Sequence, residues 1–130
     1  MEFQLDSMTV SIRLKPGIYR FGGESAEGKT FLLTMLKAIS EMDSSRSICA
    51  LTYDKNLEGI VEKKIVSKDW DIIMLDRLDL YFDNEICQAL LEKQDKSIIL
   101  IDIKNNRLLQ KLPSQYVELL LTEDRIEVSM

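Results

Sequence analysis

The chain has no histidine among its 130 residues. Imidazole acid–base catalysis, Ser–His–Asp and Cys–His nucleophile arrangements and His-ligated zinc are excluded together. Proton transfer would fall to a carboxylate, a lysine, a tyrosine, a thiol or water. Only two cysteines occur, Cys49 and Cys87, each in an apolar run and without C-x-x-C spacing. Two buried free thiols in a reducing compartment are expected. No apolar run nears the roughly 18 residues of a membrane span. The opening MEFQLDSMTV carries early acids and no long apolar stretch, unlike a secretory leader. A cytoplasmic protein with no membrane association is expected. A basic excess is also missing: 17 Lys and Arg stand against 22 Asp and Glu, a net charge of −5. That balance argues against direct nucleic-acid binding, which draws on a positive field.

What remains is ordinary globular material, 45% hydrophobic and 30% charged. It is enough for a real core without disulfides or a structural metal. With no repeat and no Pro- or Ser-rich linker, residues 1–130 read as a single domain.

Met8, Val10, Ile12 and Leu14 alternate with Thr9, Ser11 and Arg13, the period of a half-buried strand. Lys15-Pro16-Gly17 is turn chemistry, and Ile18 to Phe21 is expected to run back antiparallel to the first strand. From Lys29 the period changes. Leu32, Met35, Leu36, Ile39 and Met42 recur at three and four residues, predicting an amphipathic helix. Buried strands are expected at SICALTY (47–53), DIIMLD (71–76) and SIILID (97–102). Helices are expected between them near Leu57–Ile65, Asp83–Lys93 and Asn106–Lys111. Tyr116–Leu121 and Ile126–Val128 suggest a closing hairpin. Strands alternating with helices predict an α/β fold in three layers, with a mainly parallel sheet, an N-terminal antiparallel strand and a C-terminal hairpin. Chemistry then gathers at the C-terminal strand ends.

One motif stands out. Gly23-Glu24-Ser25-Ala26-Glu27-Gly28-Lys29-Thr30 matches G-x-x-x-x-G-K-[ST], placed between a predicted strand and a predicted helix. Glycines let consecutive N–H groups wrap a phosphate, and the helix N-terminus favours the anion. Lys29 would reach the β- and γ-phosphates, and the Thr30 hydroxyl would ligate Mg²⁺. Glu24 and Glu27 are expected to point outward. Asp76 follows the apolar run Ile72–Leu75, so it reads either as a Mg²⁺-holding acid or as a simple strand-end acid. Arg77 occupies the position where many ATPases carry a water-activating Glu. Asp54, after SICALTY, and Asp79 are the remaining acids for that task. On sequence alone Asp54 reads somewhat better as an N-cap for a helix starting at Lys55. Asp102 would sense the γ-phosphate or serve as a turn residue.

These motifs make the chain resemble the P-loop NTPases. Neither N-K-x-D nor D-x-x-G occurs, as signalling GTPases would require. Lys29 and Asp76 are only 47 positions apart, and no LSGGQ-type signature, as an ABC ATPase would require, occurs between them. Over Ile18–Arg107 the pattern is most similar to a minimal RecA/DnaB-like ATPase core. That resemblance implies ATP and Mg²⁺ as ligands. It places Asp54 where the family has a catalytic Glu and Asp102 where it has a polar sensor. Arg77 or Arg107 would be supplied in trans as an arginine finger. The expected function is ATP binding with weak Mg²⁺-dependent hydrolysis coupled to a protein partner or a second copy. The alternatives are a nucleotide-binding regulatory module without turnover and a degenerate P-loop interaction domain.

Overall fold

The computed structural model describes residues 1–22, 26–43, 45–52, 54, 59–104 and 106–130, without the side chains of Ala26, Glu27, Asn106 and Leu109. The strands are β1 (Glu2–Leu5), β2 (Met8–Arg13), β3 (Gly17–Phe21), β4 (Ile48–Leu51), β5 (Ile72–Leu75), β6 (Ile98–Ile101), β7 (Gln115–Leu121) and β8 (Arg125–Ser129). The helices are α1 (Ala26–Met42), α2 (Val61–Val66), α3 (Asn84–Lys93) and α4 (Asn106–Lys111). All eight strands form one sheet in the order β1-β2-β8-β7-β3-β6-β5-β4.

That sheet overturns the expected three-layer P-loop NTPase-like fold with a mainly parallel sheet. It is a mixed sheet that curls into a half-barrel. Half of its strands come from the chain's two ends, and the β1–β2 and β7–β8 pairs are antiparallel. The expected pairing of β2 with β3 is also absent. β2 runs parallel to β8, and β3 runs parallel to β7 on one side and β6 on the other. The β7–β8 hairpin therefore sits between two strands that are neighbours in sequence. The register shows why. Val10 faces Ile126 and Ile12 faces Val128, and all four are fully buried. The matched apolar pairs hold the two strands in this register.

Helix α1 sets the curl. It packs against β4, β7 and β1, and β4 and β1 are the two edges of the sheet. Seven inter-strand gaps would span about 34 Å if flat, whereas a helix with its side chains is only about 10 Å across. Both edges reach one helix only because the sheet wraps around it. Leu32, Leu33, Leu36 and Ile39 of α1 accordingly share a core with Phe3, Val10 and Ile12 from one half of the sheet, and with Ile48, Ile72, Met74 and Leu100 from the other. The opposite face of β4–β6 carries Cys49, Ile73, Leu75, Ile99 and Ile101, which pack with Val61 and Ile65 of α2 and Ile86 and Leu90 of α3. Among the described residues no helix is long and apolar enough to cross a membrane.

Both cysteines are free and buried. Burial pushes the Cys49 thiol up to about 11 and raises Cys87 as well. A thiol-specific reagent at pH 7 is therefore expected to label the folded chain far more slowly than the urea-unfolded chain. Equal rates would show that the core opens freely. Leu36 is fully buried at the point where α1 meets both halves of the sheet. Leu36→Ala is expected to lower unfolding free energy by about 2–5 kcal/mol, measured by denaturant titration. A loss below about 1 kcal/mol would contradict the central packing role of α1.

Candidate functional site

The site follows from strand register. β4, β5 and β6 are parallel neighbours with Leu51, Leu75 and Ile101 aligned, and Arg20 of β3 aligns with Ile101. One residue further on, the chain places Thr52, Asp76, Asp102 and Phe21 in a row. Successive strand residues alternate between faces. Leu51, Leu75 and Ile101 belong to the α2–α3 side. The row beyond them therefore belongs to the α1 side, with Ile72, Met74 and Leu100. The ladder continues through it and fixes its backbone. Asp76 donates its N–H to Leu51 O (2.8 Å), Asp102 donates to Leu75 O (3.1 Å), and Leu78 donates to Asp102 O (3.0 Å).

Lys29 reaches this row from α1. It lies three, four and seven residues before Leu32, Leu33 and Leu36, on the same helical stripe. The stripe that buries those leucines also buries Lys29, whose residue exposure is 7%. Its Nζ donates to Asp102 Oδ1 at 3.1 Å, and the two side chains are only 8% and 10% exposed. A buried ammonium without a counter-charge would cost several kcal/mol.

Asp76 stands beside this pair. Its Oδ2 accepts a hydrogen bond from the Thr52 hydroxyl at 3.1 Å, and its carbonyl accepts one from the Tyr81 phenol at 2.9 Å. Burial holds the Asp76 carboxyl above its ordinary value. The Thr52 hydrogen bond opposes that rise, a hydrogen bond with Asp102 and that residue's negative charge add to it, and Lys29 opposes it. The Tyr81 phenol is raised too, first by burial and then by the nearby Asp76 charge.

The remaining sequence-predicted residues are placed as follows. Gly28 is buried in α1, and Thr30 is exposed on the same helix. Asp79 is half-buried in a 3-10 turn at Leu78–Leu80, and Asp54 is exposed beyond β4. Arg77 is exposed and takes a left-handed backbone (φ 54°, ψ 43°), turning the chain sharply after Asp76. Gly23, Glu24, Ser25 and Lys55 lie outside the described residues, as do the side chains of Ala26 and Glu27, so the outward placement of Glu24 and Glu27 and the N-cap reading of Asp54 have no structural counterpart. Thr52 and Tyr81 were not singled out in the sequence. Thr52 lies one residue past β4, level with Asp76, a placement that only the strand register reveals. Tyr81 carried no such signal.

The row thus joins one cation to two carboxylates. Asp76 and the Thr30 hydroxyl are the groups that would hold Mg²⁺. Among the described residues no group of three or more acidic or thiol side chains is arranged around a metal position. Mg²⁺ commonly takes one or two carboxylates and completes its shell with phosphate and water. Asp76 fits that habit, because a divalent ion would offset the excess negative charge of the row, whereas Thr30 is exposed on α1. A cavity of about 300 Å³ is lined by Lys29 together with Phe21, Gly22 and Val117–Leu120.

Compared with family models, curated proteins and solved structures, the chain matches none.

The raised Asp76 carboxyl has a stability consequence. A group held above its unfolded value favours the fold while protonated. That contribution is full below about pH 3.8, the ordinary value, and is lost as pH rises through the higher folded value. At pH 7 the ionised side chain is therefore a burden on the ligand-free fold. Asp76→Asn, which still accepts from Thr52, is expected to raise the thermal midpoint at pH 7, with the gain vanishing toward pH 3.5. A gain that persists unchanged in acid would overturn this assignment.

Proposed function

We propose that this cytoplasmic chain binds a nucleoside triphosphate, with ATP preferred, together with Mg²⁺ at the Lys29–Asp76–Asp102 row. Hydrolysis is slow, and the output passes to a protein partner or a second copy. The observation that carries the reading is the position of Lys29. It is the lysine of the glycine-rich motif, sits on a buried helical stripe, and still presents its ammonium to the strand-end acid Asp102. Lys29 would exchange or share its Asp102 partner with a phosphate oxygen. Gly28 at the start of α1 allows close approach of the helix backbone to an anion. The adjoining cavity supports the reading by giving a ligand access to Lys29. Asp76 would hold Mg²⁺, which when bound would supply positive charge to offset the phosphates.

Slow turnover is inferred from the acids. Arg77 stands exposed where a water-activating Glu would be. Asp54, exposed beyond β4, and Asp79, in the 3-10 turn, are the remaining groups to orient water. The regulatory reading, binding without turnover, draws on the same observation.

Mg-ATP at saturating concentration is expected to raise the thermal midpoint of the wild-type chain. Lys29→Ala should weaken binding at least tenfold and abolish any phosphate release. Stabilisation without phosphate release would favour the regulatory reading. No stabilisation by ATP or GTP, in a chain that melts cooperatively, would leave only an interaction domain.

A further inference from the structure

We infer that Asp102 makes this site refuse a phosphate that arrives without a divalent cation. Its carboxylate holds the Lys29 ammonium in the ligand-free chain and remains as a fixed negative charge beside any phosphate that Lys29 receives. The inference rests on the proposed nucleotide binding and deepens it.

The geometry leaves the Asp102 backbone little freedom to withdraw. Its N–H is bonded to Leu75 and its carbonyl to Leu78, so both sides of the residue are tied into the sheet edge. Asp102 Oδ1 is 3.1 Å from Lys29 Nζ. A phosphate oxygen hydrogen-bonded to the same Nζ, at about 2.8 Å, therefore lies within about 6 Å of that carboxylate oxygen. Lysine has three N–H donors, so the ion pair need not open for the phosphate to bind. Whether it opens or not, the repulsion persists. With both side chains about nine-tenths buried, water and salt screen it weakly. Asp76 adds a second carboxylate at the next strand end. One ammonium then faces two acids, and a metal-free triphosphate meets an unfavourable balance. A cation carrying two positive charges reverses it. Asp102 is thus a positioning and specificity-determining residue that acts through Lys29 and through its own charge.

The test is a calorimetric titration of the full chain with ATP, once in excess Mg²⁺ and once in EDTA, for wild type, Asp102→Asn and Asp102→Glu. Thermal melts of each ligand-free chain accompany it. Wild type is expected to bind metal-free ATP at least about a hundredfold more weakly than Mg-ATP. Asp102→Asn is expected to bind metal-free ATP at least tenfold tighter than wild type, while its ligand-free chain melts at a lower temperature because Lys29 has lost its counter-charge. This pairing of lower stability with higher affinity separates the role from a purely structural one, which would lower both. Asp102→Glu, keeping the charge, should restore the requirement for Mg²⁺. An Asp102→Asn chain whose metal-free affinity equals or falls below that of wild type, with Mg-ATP binding intact, overturns the inference and leaves the nucleotide reading standing. Should Asp102→Asn fail to fold, wild type alone decides: metal-free affinity within tenfold of the Mg-ATP value overturns the inference. If wild type binds ATP in neither condition, the nucleotide reading fails and this inference fails with it.

Discussion

The buried stripe of α1 has two tasks that meet at Lys29. Leu32, Leu33, Leu36 and Ile39 must fill the hollow of a sheet whose two edges, β1 and β4, approach the same helix. A stripe that is buried along its length also carries its first turn inward. The residue seven positions before Leu36 is Lys29, so the ammonium enters the interior with the leucines. It then needs an anion within hydrogen-bond reach, and the strand ends supply one. Asp102 answers it from β6, the strand beside β3. The curl of the sheet and the charge pattern of the site are two results of one packing arrangement.

Register explains the rest of the row. Parallel strands starting level finish level, so Leu51, Leu75 and Ile101 deliver Thr52, Asp76 and Asp102 to the same edge and the same face. A one-residue slip in any strand would turn its polar residue to the α2–α3 side, among Ile73, Leu75 and Ile101. The all-buried pattern of β5 and β6 resists such slips, because both faces are packed. The site's geometry is thereby held by hydrophobic burial several residues away. The left-handed turn at Arg77 and the Tyr81 hydrogen bond to the Asp76 carbonyl tie the same strand end to the segment that leads into α3.

Local pattern and long-range arrangement differed in how far they could be read. The alternation of Met8–Leu14, the apolar runs ending at Asp76 and Asp102 and the three-and-four spacing of α1 are properties of single segments, and those segments appear as elements in the structure. Which strand lies beside which depends on residues far apart in the chain. Nothing near Lys15-Pro16-Gly17 shows that a hairpin from residues 115–129 will part β2 from β3. Residues 2–5, with only Phe3 buried, were too short and too polar to be read as β1. The expected three-layer parallel architecture failed for that reason: burial periodicity describes a strand's faces, and sheet order is a matter of edges. In the site, Lys29, Asp76 and Asp102 could be named from the sequence. Their gathering at the strand ends was expected as well, but the direct Lys29–Asp102 contact, which spans 73 positions, was not.

Stability alone does not account for a lysine at position 29. An ion pair buried to this degree contributes little net stability, since desolvation of both charges offsets their attraction. Well-packed apolar residues of similar volume commonly do as well or better. A leucine at position 29 would continue the stripe, and an apolar residue at 102 would continue the run Ile98–Ile101. Instead the chain keeps a cation and two carboxylates together at the strand ends of an otherwise apolar core, with Lys29 also lining a cavity. Such a cluster, costly to leave unpaired and of little benefit when paired, is what recognition of a charged ligand would require.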